Sequence, residues 1–206
     1  GMQNLRKAWR KAHPQLGEIL EESTRSVLDE VAALDRLVTD FSSFARLPAP
    51  DLRPVAPLEL LEGAARLYDG RVTLERDAVA GRDLPAVAAD PELLGRALVN
   101  LVKNAVEATA DRPSAHITLD ARAARRAGRA GVELEVADEG PGMTAAQIED
   151  ARRVYSTTKA GGSGLGLAIT ERTVEEHGGV LVLDSAPERG TRARVWIPTF
   201  EDRPPG

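Results

Sequence analysis

Three short blocks of this sequence carry groups suited to holding a phosphorylated ligand. In the first, Asn100, Lys103, Asn104 and Glu107 recur three or four residues apart, so on a helix they share one side. An Asn side-chain oxygen is a hard, neutral ligand, suited to a Mg2+ ion that keeps several waters and takes phosphate oxygens for the rest. The second block, Asp138-Glu-Gly-Pro-Gly142, follows the alternating run Val132 to Val136. A carboxylate at that strand end can accept a hydrogen bond from a base amino group, while Gly140 and Gly142 permit close backbone approach. In the third, Gly161, Gly162, Gly164 and Gly166 lead into Leu167-Ala-Ile-Thr-Glu-Arg172. A helix starting there points backbone NH groups and its dipole at whatever anion lies in front.

Each block alone also has a plainer reading: a solvated helix side, an Asp-Gly turn, a helix start. Two rival phosphate motifs can be weighed against the third block. A Walker A loop fails, because no Gly-Lys-Ser/Thr occurs. A dinucleotide-binding fold has Asp184 in the place of a ribose-binding acid, but it needs a hydrophobic strand feeding the glycines. Here the feed is Tyr155-Ser-Thr-Thr-Lys159, polar and lid-like.

The elements that must position these groups follow from periodicity. Leu20, Val27, Leu34 and Phe41 recur every seven residues, with Val31 and Val38 between them, so Leu16 to Arg46 reads as one amphipathic helix. Leu37 and Phe44 widen its stripe to suit a bundle. A short basic helix over Leu5 to Ala12 and a turn at His13-Pro14 make it a lopsided hairpin. Pro48, Pro50, Pro54 and Pro57 then mark a linker, which divides the chain into a partial helical hairpin, 1–48, and a second domain, 49–206. In the second domain we expect a helix over Leu58 to Tyr68, strands near Val72 to Glu75 and Ala86 to Ala88, and a long helix from Pro91 to about Ala110. Asp90-Pro91-Glu92 starts that helix with an N-cap, a first-turn proline and an acid at the positive end. Further strands are expected near His116 to Ala121, Val132 to Ala137, Val180 to Asp184 and Arg192 to Ile197. Helical turns from Thr144 and a helix from Gly164 to His177 complete the set. The last two strands read as an antiparallel hairpin, so the fold class is α+β: a two-layer sandwich, a mixed sheet with helices on one face.

Composition bounds the function. A formal net charge of −5 disfavours a nonspecific nucleic-acid binder, so no nucleic-acid partner is expected. The basic run Arg122 to Arg129 reads as a solvated hairpin loop between two strands. With no cysteine there is neither a disulfide framework nor a thiolate metal site, and the cytoplasm is the expected location. No signal peptide or long apolar span is evident. Gly1 before Met2 has the form of a tag-removal scar, so a longer parent protein, with its membrane anchoring open, is expected.

In order and spacing, Asn100-Leu-Val-Lys-Asn104, Asp138-Glu-Gly-Pro-Gly142 and Gly162-Ser-Gly-Leu-Gly166 resemble the N, G1 and G2 boxes of the GHKL ATPases. Tyr155-Ser-Thr-Thr-Lys-Ala-Gly-Gly-Ser-Gly-Leu-Gly-Leu167 is similar to the ATP lid and G2 box of nitrogen-regulation type sensor histidine kinases. The resemblance implies the GHKL ATP-binding fold, with ATP and Mg2+ as cofactors. It makes Asn104 the Mg2+ ligand, with Lys103 beside it, and Asp138 the reader of adenine, with Met143 against the base. Lys159 would neutralise the terminal phosphates and Ser163 add a hydroxyl; Tyr155, Thr157, Thr158, Gly162, Gly164, Leu165, Gly166 and Leu167 would line the lid and glycine box. Asn100 stands where related hydrolases carry a water-activating Glu, which favours transfer over hydrolysis and makes Asn100 and Lys159 the catalytic pair. The chain departs from the family at Ala151-Arg-Arg-Val154, where a Phe is usual before the lid.

By the same resemblance the γ-phosphoryl passes to a His on the first helix of a dimeric hairpin, then to an Asp of a response-regulator receiver domain. His13 lies in a turn, His116 opens a strand, and His177 reads as a helix-end residue whose cationic form would suit that terminus. None is a phosphoacceptor, so the expectation is a fragment that binds ATP without phosphorylating itself, with homodimerisation through the hairpin of the full-length protein. A noncatalytic scaffold of the same fold, or another GHKL hydrolase or serine kinase, is the alternative.

Overall fold

A computed structural model of the chain describes residues 21, 24–32, 34, 35, 48–68, 70–112, 114–152 and 164–201. Residues 24–32, 34 and 35 are helical, and the stripe read in the sequence shows there as exposed Val27, Val31 and Leu34, with Leu28 beside them. The first hairpin arm, its turn and residues 36–47 lie outside the described residues.

The remaining described elements start with β1 (Arg53–Val55) and α1 (Pro57–Ala65), which ends in a 3-10 turn, Arg66–Tyr68. Then come β2 (Thr73–Leu74), α2 (Arg76–Ala80), β3 (Val87–Ala89), α3 (Pro91–Ala108), β4 (Ile117–Arg126) and β5 (Arg129–Asp138). The order closes with α4 (Ala145–Arg152), α5 (Gly166–Glu176), β6 (Val180–Ser185) and β7 (Thr191–Pro198). Five strands form one sheet in the order β2-β4-β5-β7-β6; β2 runs parallel to β4 and every other pairing is antiparallel. β1 and β3 form a separate antiparallel pair.

Period-2 alternation gives the sheet its two faces. Ile117, Leu119 and Ala121 of β4, Val132, Leu134 and Val136 of β5, Ala193, Val195 and Ile197 of β7, and Leu181 of β6 are buried in one core. Against them α3 packs Leu94, Leu98, Leu101, Val102 and Ala105, flanked by Leu60, Leu61 and Ala64 of α1 and Val174 of α5. Leu98 is completely buried, so truncating it to Ala would cost about 2–5 kcal/mol. The opposite face carries cross-strand ion pairs: Arg122 with Glu133, Arg192 with Glu135, Arg194 with Asp184. The layers are those expected. No described helix is long and apolar enough to cross a membrane.

Three local expectations need correction. Arg122 to Arg129 is not a loop: β4 and β5 run through it, leaving only Ala127 and Gly128 as the turn, at φ +49° and +81°. Two positive-φ residues match the strand twist, as two-residue hairpins require. The arginines are spent locally, Arg122 on Glu133 and Arg125 on the Gly128 carbonyl at 2.6 Å. The Pro-rich linker contains β1, where Pro54 sits in a short two-stranded ribbon and blocks no central ladder. Helix α2 occupies a stretch read as a connection between strands.

Candidate functional site

Helix α3 is the spine of the site. Its buried residues Leu94, Ala97, Leu98, Leu101, Val102 and Ala105 follow the helical period, which turns Asn100, Lys103, Asn104 and Glu107 away from the core. Asp90 caps it, its Oδ1 accepting from Glu92 N at 3.0 Å and Leu93 N at 3.1 Å. Burial works against that carboxylate, yet NH donors from Leu93, Asp51 and Glu92 outweigh it and lower its pKa below the ordinary value.

The side chains on the polar face differ in what they touch. Lys103 Nζ stands 3.8 Å from Glu107 Oε1 in an exposed i,i+4 pair; pairs of this kind contribute little to stability. Asn104 is half-buried one turn beyond Asn100. Asn100 reaches to α5: its Nδ2 donates to Thr170 Oγ1 at 3.0 Å. A Cβ on Gly166 would lie 2.8 Å from Asn100 Oδ1, so the first turn of α5 rests directly against this amide, and a side chain there would make the amide shift.

At the other end of α3 lies the loop after β5. A Cβ on Gly140 would stand 3.3 Å from Ala108 Cβ, which puts this loop against the last turn of α3. The glycine-led end of α5 and the Asp138 loop thus bracket the helix from Asn100 to Ala108, about 12 Å along its axis, with Asn104 midway. That is the scale of a nucleoside triphosphate.

Asp138 Oδ1 accepts from Gly140 N at 2.8 Å. Burial raises the Asp138 pKa above the ordinary carboxylate value, and backbone donors at Gly140 and Thr191 offset part of that rise. The loop is held by the β6–β7 turn. Glu188 N donates to Pro141 O at 2.7 Å and Met143 N to Ser185 Oγ at 2.9 Å. Ser185 Oγ donates to Gly190 O at 2.8 Å. Arg112 donates to Gly140 O at 3.3 Å and pairs with Glu188 at 2.6 Å. Gly142, at φ +68°, packs so closely that a Cβ would be 1.9 Å from Ala186 O. Arg112, Ser185, Glu188 and Gly190 were not singled out as site residues in the sequence, where Ser185 to Gly190 reads only as the connection of the last hairpin.

Helix α5 begins without a side-chain cap, behind Gly164 at φ +65°. Leu165 is completely buried and Leu167 half-buried against the core, so these two anchor the helix start. Tyr155, Thr157, Thr158, Lys159, Gly162 and Ser163 lie outside the described residues. At its far end, His177 corrects the expectation of a cation. It is fully buried, its Nε2 accepts from Asp90 N at 3.1 Å, and its Nδ1 therefore carries the proton and donates to Thr173 O at 2.6 Å. The neutral ring ties the end of α5 to the start of α3.

The arrangement fits a nucleotide with a hydrated divalent cation: a carboxylate at one end, helix amides at the other and neutral Asn oxygens between. Among the described residues no three His, Cys, Asp or Glu side chains gather as a metal site. A cation here would draw on phosphate oxygens, as Mg2+ does.

Residues 89–201, more than half of the chain, match the family described as histidine kinase-, DNA gyrase B-, and HSP90-like ATPase. The chain belongs to this family. Among similar proteins, the nitrogen regulation protein NtrY of Azorhizobium caulinodans is 33% identical over 184 residues, 87% of this chain and 24% of that protein. The sensory histidine kinase/phosphatase NtrB of Rhizobium leguminosarum bv. phaseoli is 34% identical over 217 residues, 90% and 53% of the two chains. Sensor histidine kinase ZraS of Escherichia coli O157:H7 is 40% identical over 119 residues, 58% of this chain and 25% of that one. This ATPase-family chain therefore spans from about a quarter to about half of these relatives. Full-length ShkA in complex with AMPPNP superposes with a TM-score of 0.67 at 29% identity, over 86% of this chain and 39% of that one. The nucleotide-free catalytic domain of histidine kinase ThkA gives 0.59 at 25% identity, over 74% and 99%. The mixed sheet with helices on one face is the fold of these histidine-kinase ATPase domains.

Proposed function

We propose that this chain is the ATP-binding catalytic region of a sensor histidine kinase, acting with Mg2+ to pass the γ-phosphoryl to a His of a dimerisation helix. The observation that carries the reading is the bracketing of α3, with Asn100 and Asn104, between the Asp138 loop and the glycine-led α5. Asp138 accepts a hydrogen bond from the adenine amino group, and Met143 packs against the base. Backbone NH groups at the start of α5, from Gly164 to Leu167, donate to phosphate oxygens, and the resemblance assigns Lys159 and Ser163, outside the described residues, a neutralising charge and a hydroxyl there. Asn104, with Asn100 one turn before it, would hold a hydrated Mg2+, which would supply charge neutralisation at the phosphates. The chemistry is positioning and electrostatics rather than covalent catalysis by the protein.

His116 is exposed at the head of β4 and His177 is committed to two internal hydrogen bonds. The acceptor His is neither of these, and His13, read in a turn of the sequence, lies outside the described residues. A homodimer formed through the hairpin helix, covering Val27, Val31 and Leu34, and a response-regulator receiver domain are the partners of the full-length protein.

Calorimetric titration of ATP into the chain and into Asp138→Ala, with and without Mg2+, tests the reading. Binding by the parent and its loss in the variant support it. A parent that binds no ATP at millimolar concentration refutes it and favours a noncatalytic scaffold.

A further inference from the structure

Thr170 lies on the second turn of α5, fully inside the protein, and neither its position nor its type belongs to the nucleotide-contacting set above. Its hydroxyl makes two hydrogen bonds of 3.0 Å, one to Gly166 O in the preceding turn and one with Asn100 Nδ2 across the helix interface. A hydroxyl has one proton to give. That proton is spent on the Gly166 carbonyl, which can only accept. The Thr170 oxygen must then accept from Asn100, so the atom facing it is the amide nitrogen, and the assignment of the Asn100 amide follows from hydrogen-bond satisfaction. The other amide atom, Oδ1, is left beside Gly166, 2.8 Å from where a Cβ would stand.

We propose that Thr170 is a positioning residue for phosphoryl transfer, holding the Asn100 amide so that it presents its oxygen at the glycine-led end of α5. With the oxygen forward, Asn100 is an acceptor that serves the hydrated cation. With the amide reversed it would offer a donor to phosphate and nothing to the metal. The choice is thus made by a buried hydroxyl on a different element, and this rests on the nucleotide reading given above. Thr170 also satisfies the Gly166 carbonyl, so it couples the amide's orientation to the first turn of the helix that receives phosphates.

Thr170→Val keeps the shape and removes the hydroxyl; Thr170→Ser restores the hydroxyl without the methyl. Two measurements apply to the whole chain. In ligand-free protein, the Asn100 side-chain NH2 signals should exchange slowly with solvent in the parent and in Thr170→Ser, and rapidly in Thr170→Val. In calorimetric titrations, Thr170→Val should lose about tenfold in affinity for ATP with Mg2+, change little for ATP without Mg2+, and be rescued by Thr170→Ser. Equal loss in both titrations means Thr170 is merely structural and overturns the proposal, as does slow NH2 exchange in Thr170→Val. If the parent binds ATP and Thr170→Val matches it with and without Mg2+, only the role of Thr170 falls. A parent that binds no ATP removes the nucleotide reading and this role together.

Discussion

Gly190 sits over Asp138 with no room for a side chain: a Cβ on Gly190 would lie 1.8 Å from the Asp138 carbonyl oxygen. The contact joins the turn between β6 and β7 to the end of β5, and Gly190 makes it at φ +68°, where L side chains are strained. Gly190→Ala therefore meets both a steric clash and an unfavourable backbone. We expect it to lose about 2–4 kcal/mol and to displace the Asp138 loop, abolishing ATP binding. Chemical denaturation and calorimetry check both parts; a stable variant that binds ATP normally would mean the turn can shift without consequence for the site.

Asp138 itself should show opposite effects on stability and binding. Burial raises its pKa in the folded chain, so the native state holds this proton more tightly than the unfolded state does. The protonated carboxyl is then the form the fold favours: its stability contribution is fully present below the unfolded pKa, near 3.8, and is lost as pH rises through the raised folded value. At neutral pH the ionised group is a net cost. Asp138→Asn should consequently melt slightly above the parent at pH 7, with the gap closing as pH falls towards the carboxylate range. ATP affinity in the parent should weaken over that same fall, because the acceptor for adenine becomes protonated, while Asp138→Asn should bind weakly throughout. A variant less stable than the parent at pH 7 would contradict the buried-charge argument.

What could be read from the chain depended on how local each cause was. Helix α3 was legible from end to end because its signals are neighbours: Asp90-Pro91 at the start and apolar residues at helical spacing along the core side. Alternation located β4, β5, β6 and β7, and the glycine blocks stood out because glycine is the residue for close approach. The Arg122 to Arg129 segment misled for the opposite reason. Its charges suggest solvent, but Arg122 is matched by Glu133 on the neighbouring strand, a partner visible only once the register is known. Thr170 and Ser185 were invisible because the partner that ties each to the site is far away in sequence, 70 residues from Thr170 to Asn100 and 42 from Ser185 to Met143. His177 was placed correctly at a helix end, yet its neutral state depends on Asp90 N, contributed by the start of another helix.

Ser185 should influence nucleotide affinity without touching the nucleotide. Its hydroxyl accepts from Met143 N and donates to Gly190 O, so it stitches the far side of the Asp138 loop to the β6–β7 turn. Ser185→Ala leaves the Met143 NH and the Gly190 carbonyl without this partner, at a cost of about 1–2 kcal/mol. Loss of the stitch frees the segment that carries Met143, so ATP should bind several-fold more weakly, and Ser185→Thr should recover most of the affinity. Hydrogen exchange at the Met143 amide gives the direct measurement: faster exchange is expected in Ser185→Ala alone, and unchanged protection would show that the hydroxyl is dispensable.

His177 provides the complementary case, a residue of the fold rather than of the chemistry. Its ring is completely buried, receives the Asp90 NH and donates to the Thr173 carbonyl, locking the end of α5 against the start of α3. His177→Phe keeps most of the apolar volume but strands both backbone groups, and His177→Ala adds a cavity. We expect losses of about 1–3 kcal/mol for Phe and about 3–5 kcal/mol for Ala, read from denaturant melts. Because the lock lies at the opposite end of α5 from Gly166, the amides at the helix start stay where they were, and His177→Phe should bind ATP within a few-fold of the parent at a temperature where both are folded. A stable, folded His177→Phe that has lost ATP binding would instead give His177 a direct part in the site, which its burial and its two committed nitrogens argue against.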